Sequence, residues 1–206
     1  AAATLQPIRA EVTFASQTSL EPDKQSIRSL YFELADLLLQ RAALTGDDSA
    51  AEPYLKAARD AIEAYKAAEL RDYFRDDCVD QMQARLTKLA AIIYPIIFSD
   101  RTELLVSFPD GLKRRSVPVT ASALTAEIRS FRRMLEKRTT REYLPHAQQL
   151  YDWLLRPLAD DLRRLKVNTL VFVPDGPLRT IPMSALHDGS QFLIAQYAVA
   201  MTPGLD

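Results

Sequence analysis

The sequence contains few of the residues from which many active sites are built. Its 206 residues include one cysteine, two histidines, five glycines and one tryptophan. One cysteine cannot form a disulfide within the chain, and two histidines far apart in the sequence argue against a zinc site. The glycines form neither a G-x-G-x-x-G motif nor a Walker loop, which argues against enzymes that cradle a phosphate. We therefore predict no metal and no cofactor.

The sequence also lacks a strong net charge and a long apolar run. The net charge is −1 at pH 7, so no nucleic-acid partner is predicted. Basic helix faces occur between residues 129 and 164, but acidic residues interleave with them, which indicates a solvated or partner-facing surface. The longest apolar run, LAAIIYPIIF at residues 89–98, is too short to cross a membrane. We expect a soluble protein without a membrane partner, cytoplasmic by default, with a secreted or periplasmic location left open.

The first part of the chain, residues 1–88, carries a helical pattern. Apolar residues recur at three- and four-residue steps after Asp23, and Gly46 marks the end of that helix. A second helix is predicted to start at Ser49, where Glu52 would complete a capping box. Two such helices joined by a short polar loop form an antiparallel hairpin. The hairpin is either a generic one or the last, TPR-like unit of a helical repeat array, and the residues leave both interpretations open.

The second part, residues 89–206, combines strands and helices. Three β-rich runs come first, and Asp110-Gly111 joins the last two in a strong hairpin signal. Two amphipathic helices follow, the second of which is predicted to kink at Pro157. Thr169–Val173 is uniformly apolar, as in a strand buried on both faces of a sheet. The whole pattern predicts an α/β fold class (α+β overall), in which a helical hairpin precedes an α/β sandwich.

The last residues of the sequence are predicted to extend this sheet. We expect two further strands there, one after Phe192 and one after Tyr197. The carboxyl end of Thr169–Val173 is followed by Pro-Asp-Gly, at the edge of an α/β sheet where ligands usually bind. The sequence therefore predicts a ligand-binding site in this region.

The segment LVFVPDGPLRTIPMSALHDGSQFLIAQYAVAMTPGL, residues 170–205, resembles the start of the CHAT domain. That domain is a caspase- and separase-like cysteine peptidase fold usually found behind tetratricopeptide repeats. The shared pattern is a strand, P-D-G-x-L-x-x-I-P, a small residue before Ala-Leu, D-G, an aromatic-Leu pair, and a strand that ends in a proline turn. KAAELRDYFRDDCV and YPIIFSDRTELLVSFPDG also resemble the region that joins repeats to this domain in bacterial members. The resemblance implies that residues 89–206 are the amino-terminal part of a CHAT domain, truncated before its catalytic histidine and cysteine.

The resemblance also indicates where catalysis would occur. Family members cleave proteins with a His-Cys dyad, in which the thiolate attacks the scissile carbonyl and the histidine assists proton transfer. The histidine typically lies in an H-G loop and the cysteine in an S-A-C-like turn, and this sequence contains neither motif. We therefore predict no catalytic residue in this chain, with His187 in an exposed loop, His146 on a helix surface and Cys78 in the core. The chain alone is predicted to be inactive, and a cysteine endopeptidase only when a carboxy-terminal half completes it.

Asp175 and Arg179 are the candidate substrate-binding residues, because the turn after the first sheet strand lines the substrate pocket in related enzymes. Asp175 would hold a basic substrate side chain and Arg179 an acidic one. Alternatively, Asp175 caps its own turn and Arg179 is a surface residue. The partners implied are a protein or peptide substrate, the carboxy-terminal half of the domain, and a further copy of the chain at an exposed sheet edge.

Two functions of different classes remain open at this point. In the first, the chain is the non-catalytic amino-terminal portion of a CHAT-family cysteine endopeptidase and supplies scaffold and part of the substrate pocket. In the second, it is a protein-interaction or scaffold module with a catalytically empty caspase-like sheet. We interpret its end at Asp206 as that of a fragment or separate-chain product rather than of programmed maturation.

Overall fold

The computed structural model describes residues 24–74, 89–137 and 140–205. The chain divides into two units, one comprising residues 1–83 with 204–206 and the other residues 84–203. The first unit is helical and the second contains the sheet. That the first is repeat-like and the second a truncated CHAT domain stays a prediction. None of the described helices is long and apolar enough to cross a membrane.

The helical unit is a hairpin of two helices, α1 (Lys24–Leu44) and α2 (Asp48–Phe74). Aromatic rings join them, since Tyr65 contacts Tyr31 at a ring-centroid distance of 6.2 Å and Phe32 at 5.6 Å. Small side chains lie fully buried on both helices, which lets the backbones approach closely. They are Ala35, Ala58 and Ala61. The predicted helical hairpin therefore forms at the expected place.

The start of α2 differs from the prediction by one residue. The Ser49 N–H donates to the Asp47 Oδ1 at 3.2 Å, and the Ala51 N–H donates to the Asp47 carbonyl at 2.9 Å. Asp47 is thus the cap, and the capping box predicted from Ser49 is wrong. An aspartate caps a helix as well as a serine does, and this one follows directly on Gly46, which has a left-handed φ of +66°.

The second unit contains a five-stranded sheet in the order β3-β2-β1-β4-β5. The strands are β1 (Ala90–Ile97), β2 (Thr102–Phe108), β3 (Gly111–Val117), β4 (Thr169–Phe172) and β5 (Ala198–Met201). The first three pair antiparallel, whereas β4 runs parallel to β1 and β5 runs parallel to β4. The predicted β2–β3 hairpin is confirmed, and Gly111 has the positive φ of +133° that its turn requires.

Three helices pack on one face of the sheet: α3 (Ala121–Leu135), α4 (Tyr143–Leu154) and α5 (Ala159–Arg164). A 3₁₀ turn at Arg156–Leu158 separates α4 from α5, so Pro157 breaks the predicted helix rather than bending it. Alternate strand residues such as Leu104, Val106 and Phe172 form one core cluster with apolar residues of these helices. The predicted α/β fold class is confirmed, with helices followed by a mixed sheet.

Only one of the two strands expected after β4 is present. The chain at Phe192 makes a single bridge to His187, and Leu193–Ala195 then forms a 3₁₀ turn. Leu193 is fully buried while its neighbour Ile194 is 65% exposed. The Leu193 N–H donates to the Leu186 carbonyl at 2.8 Å, which closes a compact loop instead of extending the sheet. The strand expected after Tyr197 is β5.

Candidate functional site

The candidate site begins where β4 ends, in the turn that carries the Pro-Asp-Gly sequence. Asp175 is extended, Gly176 has a φ of +51°, and Gly176–Thr180 forms a 3₁₀ turn. Glycine suits this position because a side chain rarely adopts that φ. Leu178 and Ile181 are buried in the core cluster and fix the turn against the sheet. The turn is therefore held against the core at the carboxyl end of a buried parallel strand.

The two predicted substrate-binding residues lie in this turn and contact each other. The Arg179 Nη2 donates to the Asp175 Oδ1 at 3.2 Å, and the Arg179 Nε donates to the Pro174 carbonyl at 3.3 Å. Asp175 is only 5% exposed, whereas the Arg179 side chain is 36% exposed. The Asp175 side chain does not cap the 3₁₀ turn, contrary to the alternative considered from the sequence. A role for either residue in binding substrate stays a prediction.

His187 occupies a different environment from the one predicted. It is 8% exposed, and its ring contacts Phe192 edge-to-face at a centroid distance of 5.0 Å. Its Nδ1 accepts a hydrogen bond from the Gly189 N–H at 3.0 Å, so the ring proton of the neutral form lies on Nε2. The expectation of an exposed loop residue was wrong, because the Phe192 ring covers the histidine.

Asp188 is a residue of this loop that the sequence analysis did not single out. Its Oδ1 accepts from the backbone N–H groups of Ser190 at 2.6 Å and Gln191 at 2.8 Å, and its Oδ2 from Gln196 Nε2 at 2.6 Å. Burial raises the pKa of this carboxyl, but these hydrogen bonds outweigh burial and lower it to about 2. An aspartate before Gly-Ser is the usual sequence of such a turn, and that signal could have identified it.

His146 is half-buried rather than a plain surface residue of α4. Its Nδ1 lies 2.7 Å from the Glu127 Oε1, and this pair joins α4 to α3. Cys78, predicted to be in the core, lies outside the described residues. Within the described residues, no group of three or more His, Cys, Asp or Glu side chains could hold a metal ion.

The β5 edge of the sheet is uncharged and open. The N–H groups of Ala198 and Thr202 donate to carbonyls of Asn168 and Phe172, each at 2.9 Å, so alternate residues of β5 face β4. The backbone groups of Val199 and Met201 therefore point outward, because successive residues in a parallel strand alternate between neighbours. Among the described strands, none pairs with β5 on its outer side.

The β3 edge, by contrast, carries three consecutive basic residues. Lys113 Nζ lies 2.8 Å from the Asp161 Oδ1, and Arg115 Nη2 lies 2.6 Å from the Asp161 Oδ2. Burial raises the pKa of Asp161, but hydrogen bonds from Arg164 and Lys113 outweigh it and lower the pKa to about 2. Lys113 and Arg115 are thus held by an acidic partner on α5.

Arg114 lies between Lys113 and Arg115 on β3, and its side chain points to the other face of the sheet. Arg114 Nη2 lies 2.7 Å from the Glu103 Oε1, and Arg101 Nε lies 2.7 Å from the same oxygen. Glu103 is fully buried, and its Oε2 has no hydrogen-bond partner among the described residues. The edge strand is therefore bound to β2 by charged contacts as well as by its backbone.

The second unit is thus an α/β structure. Its Pro-Asp-Gly turn lies at the carboxyl end of β4, and its uncharged open edge is the outer side of β5. Residues 144–206 match the family model of the CHAT domain. The matched part begins in α4 and includes β4, the loops with Asp175 and His187, and β5. The match confirms the resemblance inferred from the sequence for this part of the chain. No match to the chain is found among curated proteins.

Proposed function

We propose that this chain is the non-catalytic amino-terminal portion of a CHAT-family, caspase/separase-like cysteine endopeptidase. The observation that carries this proposal is the family match at residues 144–206, which spans a strand, its ligand-side loop and an open edge strand. In this proposal the chain supplies scaffold and part of the substrate pocket, while a carboxy-terminal half supplies the catalytic histidine and cysteine. His146 and His187 then have structural roles in their contacts with Glu127 and Phe192.

The carboxy-terminal half would join the sheet at β5. Parallel strands are rarely left uncovered, and an uncharged edge with outward N–H and C=O groups is a ready template for a further strand. Val199 and Met201 present those groups, and Met201 is 43% exposed. A second copy of the chain could occupy the same edge when the carboxy-terminal half is absent.

The turn after β4 would contribute to the substrate pocket, since ligands of α/β sheets bind at the carboxyl ends of the strands. Arg179 is the better placed of the two candidates, because its side chain is partly exposed while Asp175 is buried beneath it. Asp175 would orient the guanidinium, and Arg179 would bind an acidic side chain of a protein substrate. A basic substrate side chain would first have to displace Arg179 from Asp175.

Co-expression of the chain with the polypeptide encoded after Asp206 tests this function. We expect a stable complex that cleaves peptides, while the chain alone does not. Arg179→Gln should lower cleavage of acidic peptides by about tenfold, because a charged hydrogen bond to the substrate is lost. Arg163→Gln is the matched control, since the Arg163 side chain is 74% exposed on α5 and lies outside the loop. A complex whose cleavage is unaffected by R179Q would refute the pocket assignment alone.

The second candidate is a protein-interaction module with a catalytically empty sheet. The observation in its favour is the internal Asp175–Arg179 pair, which leaves the candidate pocket residues engaged with each other. A following polypeptide without an H-G loop and an S-A-C-like turn, and no peptidase activity in the complex, would favour this alternative.

A further inference from the structure

Helix α1 exposes a row of apolar side chains opposite the face that packs on α2. Leu30, Leu37 and Leu44 are 50%, 65% and 78% exposed, although they are large hydrophobic residues. They lie seven residues apart, so they stand above one another along the helix. Leu34 lies between them and is half-buried, as is Ile27. We call Ile27, Leu30, Leu34, Leu37 and Leu44 the leucine stripe.

A single helix hairpin does not need this stripe for its own packing. The opposite face of α1 already supplies the hairpin core, with Tyr31, Ala35 and Leu39 at most 1% exposed. A helix that is apolar on two faces normally has a partner on both. Contiguous exposed apolar residues on a protein of this size mark an interaction site, whereas single ones do not.

The spacing of the stripe is that of a helix-pairing seam. From Ile27 to Leu37 its members alternate by three and four residues, and Leu44 follows seven residues later. This spacing places Ile27 and Leu34 at a positions and Leu30, Leu37 and Leu44 at d positions of a heptad. The next a position is Arg41. The helix is 21 residues long, and the seam from Ile27 to Leu44 covers about 26 Å of it, or roughly two and a half heptads.

Arg41 decides the orientation of a partner with the same sequence. In a parallel pair, Arg41 would face Arg41 of the second copy within the seam, which is unfavourable. In an antiparallel pair that sets Leu34 against Leu37 of the second copy, Arg41 lies beside Leu30. Within its own hairpin the Arg41 guanidinium lies 6.0 Å from the centroid of the Tyr54 ring on α2. In the antiparallel pair it is also one helical turn from Glu33, an exposed residue at the rim of the seam. The symmetry of the pair supplies this Arg–Glu contact twice.

We propose that the leucine stripe of α1 is a docking surface for a second copy of this chain, packed antiparallel along α1. The heptad spacing and the exposure of three leucines favour a helical partner, and the charge complementarity of Arg41 and Glu33 favours a second copy as that partner. The proposal concerns the helical unit and does not depend on the peptidase assignment. It also differs from strand pairing at β5, which uses the other unit.

Sedimentation equilibrium of the purified full chain tests the proposal. We expect a reversible dimer whose dissociation constant rises at least ~10-fold in Leu37→Glu, because a charge then enters the apolar seam. Ile194→Glu is the matched control, since Ile194 is also 65% exposed but lies outside α1. Circular dichroism checks that both variants keep their helix content. A monomer at all accessible concentrations, or equal weakening by both substitutions, would overturn the proposal.

A charge exchange then distinguishes the antiparallel pair from other partners of the stripe. Arg41→Glu should weaken the dimer about threefold, because each Arg41–Glu33 contact becomes a repulsion. Combining Arg41→Glu with Glu33→Arg should restore the affinity of the unsubstituted chain. Failure of the double variant to recover, with its helix content intact, would contradict the antiparallel register.

Discussion

The two edges of the sheet differ in almost every respect that controls strand pairing. The β3 edge carries Lys113, Arg114 and Arg115, and acidic partners on β2 and α5 hold all three. The β5 edge, Ala198–Met201, has no charged residue and points backbone groups outward. Charged edge strands resist the addition of another strand, whereas bare ones invite it. Both β3 and β5 are edges of the described sheet, and the comparison teaches that charge protects one of them while the other is bare.

The largest expected loss of stability comes from placing a proline on β5, where successive backbone N–H groups alternately face β4 and point outward. Ala200→Pro should cost about 3 kcal/mol of unfolding free energy, because it removes an N–H that faces β4 and adds a clashing ring. Val199→Pro should cost less than about 1 kcal/mol, because a proline on an edge strand is tolerated where its N–H faces outward. Urea unfolding measures both changes. Equal costs would mean that the assignment of inner and outer groups is wrong.

The next effect concerns the buried carboxylate beneath the β3 edge. Glu103→Gln should cost about 3 kcal/mol, because Arg101 and Arg114 would be left without their carboxylate in a buried position. The same unfolding experiment on Glu142→Gln gives the control, since the Glu142 side chain is 56% exposed. A cost for E103Q as small as that of the control would show that β3 does not depend on this ion pair.

A smaller effect is expected from the carboxylate that holds Lys113 and Arg115. Asp161→Asn should cost about 2 kcal/mol, estimated from the lowering of its pKa from 3.8 to about 2. Because the folded-state pKa is lowered, this stability is present above pH 4 and is lost as the pH falls from about 4 towards 2. Asp160→Asn, at a neighbouring side chain that is 98% exposed, should leave the acid profile unchanged. Identical profiles for both variants would contradict this role of Asp161.

The smallest expected change in stability comes from adding one lysine to each edge. This pair of variants tests whether charge alone makes the two edges differ in their capacity to pair with a further strand. Ser116→Lys on β3 and Ala200→Lys on β5 both place a lysine at an exposed strand position. Each should change the unfolding free energy by less than about 0.5 kcal/mol. Only A200K should weaken binding of the proposed carboxy-terminal half, as seen in pull-down of the co-expressed polypeptide. Equal losses of binding in both variants would remove the distinction between the edges.

The elements with strong local signals could be predicted from the sequence. The spacing of α1, the Asp-Gly turn before β3 and the apolar run of β4 each reflect local chain chemistry, and all were found where expected. The contacts that set the environment of single residues could not be predicted, because they join residues that are far apart in the sequence. Lys113 and Asp161 are 48 residues apart in the chain. Similarly, the burial of His187 depends on how the loop around Phe192 folds, which periodicity does not encode.

The position of the candidate turn could be predicted from the sequence. The Pro-Asp-Gly turn was located at the carboxyl end of β4, as its composition indicates. The internal pairing of Asp175 with Arg179 was not foreseen, because a 3₁₀ turn brings together residues four apart that a loop would separate.

The sheet order also has a consequence for the timing of folding. Strands β1 to β3 are joined by short turns, so their pairing requires only local loop closure. The parallel pair of β1 and β4 begins with Ala90 opposite Thr169, 79 positions later in the chain. During synthesis from the amino terminus, the β1 side that β4 will occupy stays unpaired until α3, α4 and α5 have emerged. We therefore expect β4 docking to be a late, slow step, visible as the last amides to gain protection in hydrogen-exchange pulse labelling.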